Sequence, residues 1–554
     1  MRILKAPLVG PTSGAFYCAA WLHACFPPPY PLQFAFVYLP QRLFVCYNNK
    51  KRKELHAMQP NVVLIIVDQM RGDCLSHLSH PVVETPWLDH LAREGVTFTR
   101  AYSAVPSCIA ARAGLLTGLS QDHHGRLGYQ DRVSWNYETT LPGAFHDQGY
   151  QTRCVGKMHV WPARNRLGFD EVELHDGYLH TERNFSIPVS EFHENNDDYL
   201  TWLHQQLPDA DLNDSGLECN SWLARPFPYE EKYHPTNWVT QQGIQFLKRR
   251  DPTQPFFLTL SYVRPHSPLD PPQYYYDMYD RSEIDPPLHA DWESADAERL
   301  AQFVNPVAGE ARPRALRRAR AAYYGAITHL DNQIGRFYMA LQDSGELRNT
   351  IILFVSDHGD MMGDFNFFRK SLPYEGSARV PMILSDPGRL LSLPLGAQSQ
   401  AIVELRDVMP TLLDAAGLSI PQGLDGISLL EAARGNCESV RPYLHGEHTM
   451  GLLSNHWIVS GSLKYAWFSQ SGREQLFDLA RDPHELKDCA ADPAYQEALV
   501  RLRGYLIDEL GRRGDGYSDG CHLIVGNDPS PLLPFMQSCV TPARVPSAAP
   551  TVAK

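Results

Sequence analysis

Between Asn61 and Asp68 the chain runs Val-Val-Leu-Ile-Ile-Val without one polar residue. A strand with one wet face alternates apolar and polar side chains. A β-branched run that is apolar at every position is instead covered on both faces, as in a parallel sheet packed between helices. Comparable runs occur at 153–155, 256–260 and 351–355, and the spacing between them predicts helices over 87–94, 236–249 and 318–341. This is an α/β layout. Each run ends in polar or ionisable groups: Asp68-Gln69, Lys157 with His159, Arg264 with His266, and Asp357-His358. Ligands of open α/β sheets sit beyond the carboxyl ends of the strands, so four such ends predict one shared crevice.

Composition limits the alternatives. Of 554 residues, 43% are hydrophobic and 20% charged, ordinary globular usage that excludes wholesale disorder. Lysine and arginine total 50 against 63 acidic residues, a net charge of −13, and with no basic stripe a nucleic-acid partner is excluded. No apolar run is long enough for a membrane-spanning helix, so no membrane partner is expected. The 11 cysteines are odd in number and lack a C-x-x-C pair, which argues against a disulfide framework and a structural zinc. A reducing, cytoplasmic location is expected, with periplasm or secretion as the alternative.

Residues 1–57 form an irregular extension. Arg2 and Lys5 precede an apolar stretch broken by prolines, a poor signal peptide, and Leu22-His23-Ala24-Cys25 only loosely matches a lipoprotein cleavage site. We read Met58 as the translation start and 1–57 as not translated. Residues 58–440 then form the α/β domain, with an acidic, asparagine-rich insertion over 183–234. Residues 441–513 form a small α+β subdomain with strands at 457–460 and 463–468 and a helix over 492–512. The proline-rich tail 514–554 is expected to be mobile and able to reach a neighbouring subunit of a homo-oligomer.

Cys108 opens the helix-forming run Cys-Ile-Ala-Ala-Arg-Ala-Gly-Leu-Leu-Thr-Gly. A nucleophile there meets the free N–H groups and positive end of the helix dipole, which favour an anionic substrate, and Arg112 one turn on can hold an oxyanion in its fork. Taken alone, the segment reads equally well as a buried cysteine opening an amphipathic helix.

The segment resembles the C-x-P-S-R and A-x-L-L-T-G signature of the type I sulfatases of the alkaline phosphatase superfamily. Cys108 and Arg112 hold the signature positions, Ala113 and 115–118 match its second half, and Ala110 and Ala111 stand where proline and serine are usual. The resemblance spans 61–488. It includes Thr85-Pro86-Trp87-Leu88-Asp89, Gly156-Lys157-Met158-His159, Arg264-Pro265-His266-Ser267-Pro268, Ser356-Asp357-His358-Gly359, Lys370, Glu375-Gly376-Ser377 and Leu476-Phe477-Asp478-Leu479. It implies an alkaline phosphatase-like fold, a large mixed, mostly parallel sheet flanked by helices with a small C-terminal α+β subdomain.

It also implies that a maturase converts Cys108 to formylglycine, whose hydrate attacks sulfur; Ala110 suits the oxygen-independent maturase better than the oxygen-dependent one. Asp68, Gln69, position 108, Asp357 and His358 would hold one divalent cation, hard oxygens plus an imidazole. The Asp-Gln and Asp-His pairs look like the branch of phosphonate monoester hydrolases and choline sulfatases, which leaves calcium and manganese both open. Each aspartate alone also reads as a helix N-cap. Arg112, Lys157 and Lys370 would face the transferring group, His159 would take the proton that lets the covalent ester break down, and His266 with Lys370 would assist the leaving group.

The expected activity is hydrolysis of a sulfate monoester. Phosphonate monoester or phosphodiester hydrolysis at the same site is the alternative. Further alternatives are a non-catalytic anion-binding protein with unmodified Cys108, or a mutase or transferase using Ser107. Substrate choice is expected to lie in 129–137 and the 183–234 insertion. His123-His124 reads as a loop, and His445-Gly446-Glu447-His448 as crevice lining without assigned chemistry.

Overall fold

The computed structural model describes residues 59–177, 196–217, 219–293, 309 and 312–541, all within the unit Met58–Lys554. The extension 1–57, the proposed start at Met58, and 183–195 of the insertion lie outside the described residues. The α/β domain contributes, in chain order, β1 Asn61–Asp68, β2 Gly95–Phe98, β3 Ala101–Tyr102, β4 Gln151–Gly156, β5 Glu171–Leu174 and β6 Phe256–Pro265. There follow β7 Thr350–Ser356, β8 Arg379–Val380, β9 Met382–Ser385, β10 Ala397–Ser399 and β11 Val403–Glu404. Eight of these form one sheet in the order β10-β2-β9-β7-β1-β6-β4-β5, and β11-β3-β8 form a small second sheet. In the large sheet only β9 runs antiparallel to its neighbours. The expected mixed, mostly parallel sheet flanked by helices is present.

β1 lies between β6 and β7, parallel to both. Val62, Leu64 and Ile66 enter one core with residues of helices Cys108–Thr117 and Val408–Ala415. Val63, Ile65 and Val67 enter the other, with residues of helices Pro86–Arg93, Pro235–Arg249 and Pro313–Asp343. Successive side chains point to opposite faces. Both faces are buried, so the run tolerates no polar residue, and each of these side chains contributes roughly 1.5–3 kcal/mol by leaving water. Because β1, β4, β6 and β7 are mutually parallel, Asp68, Lys157, His266 and Asp357 emerge at one edge of the sheet.

The C-terminal part is an antiparallel meander, β12 Leu444–His448, β13 Asn455–Ser460, β14 Leu463–Phe468 and β15 Arg473–Asp478. Helix Gln496–Gly511 covers one face, with Leu499, Leu502, Leu506 and Leu510 packed against Ile458 and Trp467. The flanking strands β12 and β15 escape sequence reasoning because Leu-His-Gly-Glu-His and Arg-Glu-Gln-Leu-Phe-Asp carry charges at half their positions or lack a β-branched residue.

The expected mobility of the tail is corrected for residues 514–541. Leu127 N donates to Pro531 O at 2.8 Å, Leu533 N to Gly125 O at 2.9 Å and Thr541 N to Arg132 O at 2.8 Å. Leu532 and Met536 are buried with Val133. Gly125, at φ +74°, permits this contact, because a Cβ there would fall 2.3 Å from Met536 Cγ. The prolines suppress helical and strand periodicity, but the apolar side chains between them pack this stretch against the rest of the chain. Residues 542–554 lie outside the described residues. No helix among the described residues is long and apolar enough to cross a membrane.

Candidate active site

Cys108 is the first residue of helix Cys108–Thr117 and is 1% exposed. The helix starts after extended Ser107 and stops at Gly118, whose left-handed conformation returns its N–H to Gly114 O. Every side chain in it is buried, which the small residues Ala110, Ala111, Ala113 and Gly114 make possible. Cys108 Sγ lies 3.2 Å from His358 Nε2 and 3.6 Å from Asp68 Oδ1. Asp68, Cys108, Asp357 and His358 each offer a ligand atom within 4.8 Å of the others, and all four are buried. Burial and the Asp68 carboxylate raise the Cys108 thiol pKa, but Lys157, Lys370 and His358 outweigh them and hold it below the ordinary thiol value. Burial likewise works against the charge on Asp68, yet Lys157 first, then His266 and His358, keep its pKa well below the usual carboxylate range.

This donor set fits a divalent cation. His358 Nδ1 lies 2.9 Å from Gly359 O, which assigns the proton to Nδ1 and leaves the Nε2 lone pair facing Cys108 and Asp68. Two carboxylates and an imidazole then converge on one spot.

Positive side chains brace the carboxylates. Arg112 Nε donates to Asp357 Oδ2 at 3.0 Å, and Nη1 donates to Lys157 O at 2.7 Å and Ser261 Oγ at 2.8 Å. Lys157 Nζ sits 2.5 Å from Asp68 Oδ2, with both side chains at most 1% exposed. Burial opposes the charge on Lys157, but Asp68 and Cys108 raise its pKa above the usual value. Gly156 lets β4 approach this closely: at φ +103°, its Cβ would fall 1.9 Å from Ser261 O.

A second group stands beside the first. Gln69 donates from Nε2 to Asp360 Oδ2 at 2.5 Å and accepts from Lys370 Nζ at 2.7 Å. Lys370 Nζ is also 2.8 Å from His266 Nε2, and His266 Nδ1 is 2.7 Å from Ser267 O. These bonds assign the His266 proton to Nδ1, so its Nε2 accepts from Lys370. Burial, then Lys370, push the His266 pKa well down and keep the ring neutral. Gln69 is thus placed at the site, with its carboxamide shared between Asp360 and Lys370.

His159 is buried and faces Tyr129, the ring centroids 5.8 Å apart. Both Gln69 and His159 take positive φ, 70° and 59°, unusual for residues with a Cβ and a mark of side chains held in place by their surroundings. For His159 the hold is Asp176, whose Oδ1 accepts from the backbone N of Met158 and of His159 at 2.9 Å each.

Elsewhere the expected residues do other work. Arg264 turns to Asp270, 2.7 Å from Nε. His123 pairs with Asp425, while His124 Nδ1 accepts from Arg126 N. Of the segment 129–137, Tyr129 reaches His159, whereas Trp135 and Tyr137 stack around Arg126. His445, Glu447 and His456 form a second buried cluster, into which Arg513 and Gln121 already donate. Asp360, Ser261 and Asp176 were not expected at the site. Asp360 carries a faint signal, two residues past His358, whereas nothing local distinguishes Ser261 or Asp176.

Known proteins resemble this chain in sequence and in fold. The Sulfatase family model matches residues 60–418, and a model described as N-sulphoglucosamine sulphohydrolase, C-terminal, matches 363–510. An arylsulfatase of Clostridium perfringens is 54% identical over 477 residues, covering 86% of this chain and 99% of that protein. A multifunctional alkaline phosphatase superfamily protein of Trinickia caryophylli is 30% identical, covering 80% of this chain and 93% of that one. The solved phosphonate monoester hydrolase of Agrobacterium radiobacter superposes with a TM-score of 0.67 at 27% identity, over 82% of this chain and 96% of that one.

Proposed function

Because the chain belongs to the sulfatase family and hydrolyses sulfuric esters, we propose that it cleaves small aryl sulfate monoesters at Cys108. The observation that carries this is the meeting of Cys108 with Asp68, Asp357 and His358 beneath Lys157, Arg112 and Lys370. The arylsulfatase of Clostridium perfringens supports the aryl class. When formed at position 108, formylglycine supplies a hydrated aldehyde oxygen as nucleophile, and the bound cation supplies charge against the sulfuryl oxygens. Asp68, Gln69, Asp357 and His358 would hold that cation. We assign calcium to it from the carboxylates, with manganese as the second reading that the His358 imidazole favours.

The chain's own residues do the rest. Arg112 fixes Asp357 and the Lys157 carbonyl at once, so the nucleophile, one cation ligand and one ammonium move as a unit. Lys370 carries the proton for the leaving oxygen, and neutral His266 orients it through Nε2. His159 accepts the proton that releases sulfate. An oxygen-independent maturase would act on the Cys108 segment, given Ala110. The test is kinetic, on protein with formylglycine verified at 108: an aryl sulfate, an aryl phosphonate monoester and an aryl phosphodiester compared directly. The sulfate is expected to lead in kcat/KM by about a hundredfold; a lead for either phosphorus ester would overturn the assignment.

A further inference from the structure

Strand β12 separates two environments. Its side chains alternate, and Glu447 turns to Arg513, with Nη2 2.9 Å away, on the side of the tail. Leu444 and Gly446 face the other way. Leu444 packs with Tyr102 and Ala378 of the α/β domain, and Gly446 lies under the ring of Trp457, its cross-strand partner. By the same alternation His448 points into the α/β domain.

The surrounding hydrogen bonds fix where it arrives. Glu447 N donates to Ala104 O at 2.8 Å and Thr449 N to Leu127 O at 2.8 Å, so His448 sits between the segments that lead to Cys108 and to Tyr129. Across the ribbon, its partner Asn455 donates to Ser371 O at 2.9 Å, and Ser371 N donates to Pro106 O at 3.1 Å. Ser371 adjoins Lys370. The segments bearing Cys108, Tyr129 and Lys370 therefore enclose one imidazole, which is 2% exposed and has no hydrogen-bond partner on either ring nitrogen. A buried polar group without a partner destabilises the fold unless a ligand completes it. Burial pushes its pKa down to about 3, so it is neutral and offers one N–H and one lone pair.

We propose that His448 is a substrate-contacting residue whose imidazole N–H donates to a sulfuryl oxygen of the bound ester. The assignment rests on the reading of Cys108 as the site of the nucleophile. A neutral donor suits this place. It grips the sulfuryl oxygens without adding a charge beside His358 and Lys370, and it is available equally to the ester and to the sulfate product. Its contribution is therefore to ground-state and transition-state binding alike, and its loss should appear mainly in KM and in product affinity.

The experiment compares His448→Ala and His448→Gln with the parent, using calorimetric titration with inorganic sulfate and steady-state kinetics on an aryl sulfate. Sulfate binding is expected to weaken about tenfold in His448→Ala, the worth of one hydrogen bond to a charged acceptor, with KM rising in parallel and kcat changing less. His448→Gln keeps an N–H at similar reach and should recover most of both. Unchanged sulfate affinity in His448→Ala overturns the proposal, as does a glutamine variant no better than alanine. If His448→Ala does not fold, His448→Gln and His448→Asn decide it: retention of sulfate affinity by glutamine and its loss in asparagine supports the contact, and equal loss in both refutes it. Turnover retained by Cys108→Ala would instead remove the nucleophile assignment, while the sulfate titration would still report on His448.

Discussion

Lys157 and Asp68 form a buried ion pair that stands where a cation also acts, and this makes a sharp prediction. Replacing Lys157 by methionine keeps the aliphatic stem but leaves the Asp68 carboxylate, 0% exposed, with Arg112 no nearer than 4.0 Å. Removing one partner of such a pair costs about 3–5 kcal/mol. A chain of this size gains on the order of 1 kcal/mol/K of entropy at its melting point, so the chelated variant should melt about 3–5 °C below the parent. With saturating calcium the ion compensates the same carboxylate, and the deficit should shrink to less than about half. Calcium affinity should be unchanged or tighter, since a competing positive charge has gone. Differential scanning calorimetry with and without chelator, and calcium titration, measure both quantities. An equal deficit in the two conditions, or weaker calcium binding, would refute the view that Lys157 and the cation share Asp68. Activity should fall by about a hundredfold or more in either case, because Lys157 also faces the developing charge.

Lys370→Met should lower kcat/KM by a factor that grows as the leaving group becomes more basic, small for a nitrophenyl ester and large for an alkyl ester; a uniform loss would remove the leaving-group role. Asp331 accepts from the backbone N of Leu88 at 2.8 Å at the start of helix Pro86–Arg93, and burial raises its pKa to about 7. A carboxyl pKa raised on folding means the folded state holds the proton more tightly, so parent stability should fall as pH rises from about 4 to about 7 and stay level above. Asp331→Asn lacks this term, so its melting advantage over the parent should widen across that window by at most about 1.4 kcal/mol per pH unit; a constant difference would contradict the assignment. Ending the chain at Arg513, or Gly125→Ala, should each lower the melting temperature by releasing Leu532 and Met536 from Val133; unchanged melting of both would mean the tail contributes nothing to stability.

The sheet and the centre of the site are legible in the sequence because the relevant signals are local. β1 announces burial on both faces within six residues, and parallel neighbours must deliver their last residues to the same edge. Asp68, Lys157, His266 and Asp357 can therefore be grouped from the order of runs alone. The features that escape depend on contacts distant in the chain. Asp360 captures Gln69 across 291 positions, and β9, Met-Ile-Leu-Ser, which runs antiparallel within the large sheet, gives no sign of its direction. The tail departs from expectation because a segment without periodicity can still be ordered. Three apolar residues, Leu532, Leu533 and Met536, suffice to anchor a segment with no regular element of its own beyond a short 3-10 turn.

The two faces of strand β12 meet opposite electrostatic demands within consecutive residues, Glu447 against a guanidinium and His448 in a chamber built for an anion. A slip of one position that carried Glu447 to the place of His448 would set a carboxylate where the ester's own negative charge must enter and bring Gly446 opposite Arg513, leaving the guanidinium without its partner. The pairing of this strand is thus proofread by charge: the misaligned form is penalised on both sides at once, and the chain closes the pocket only in the frame that can receive its substrate.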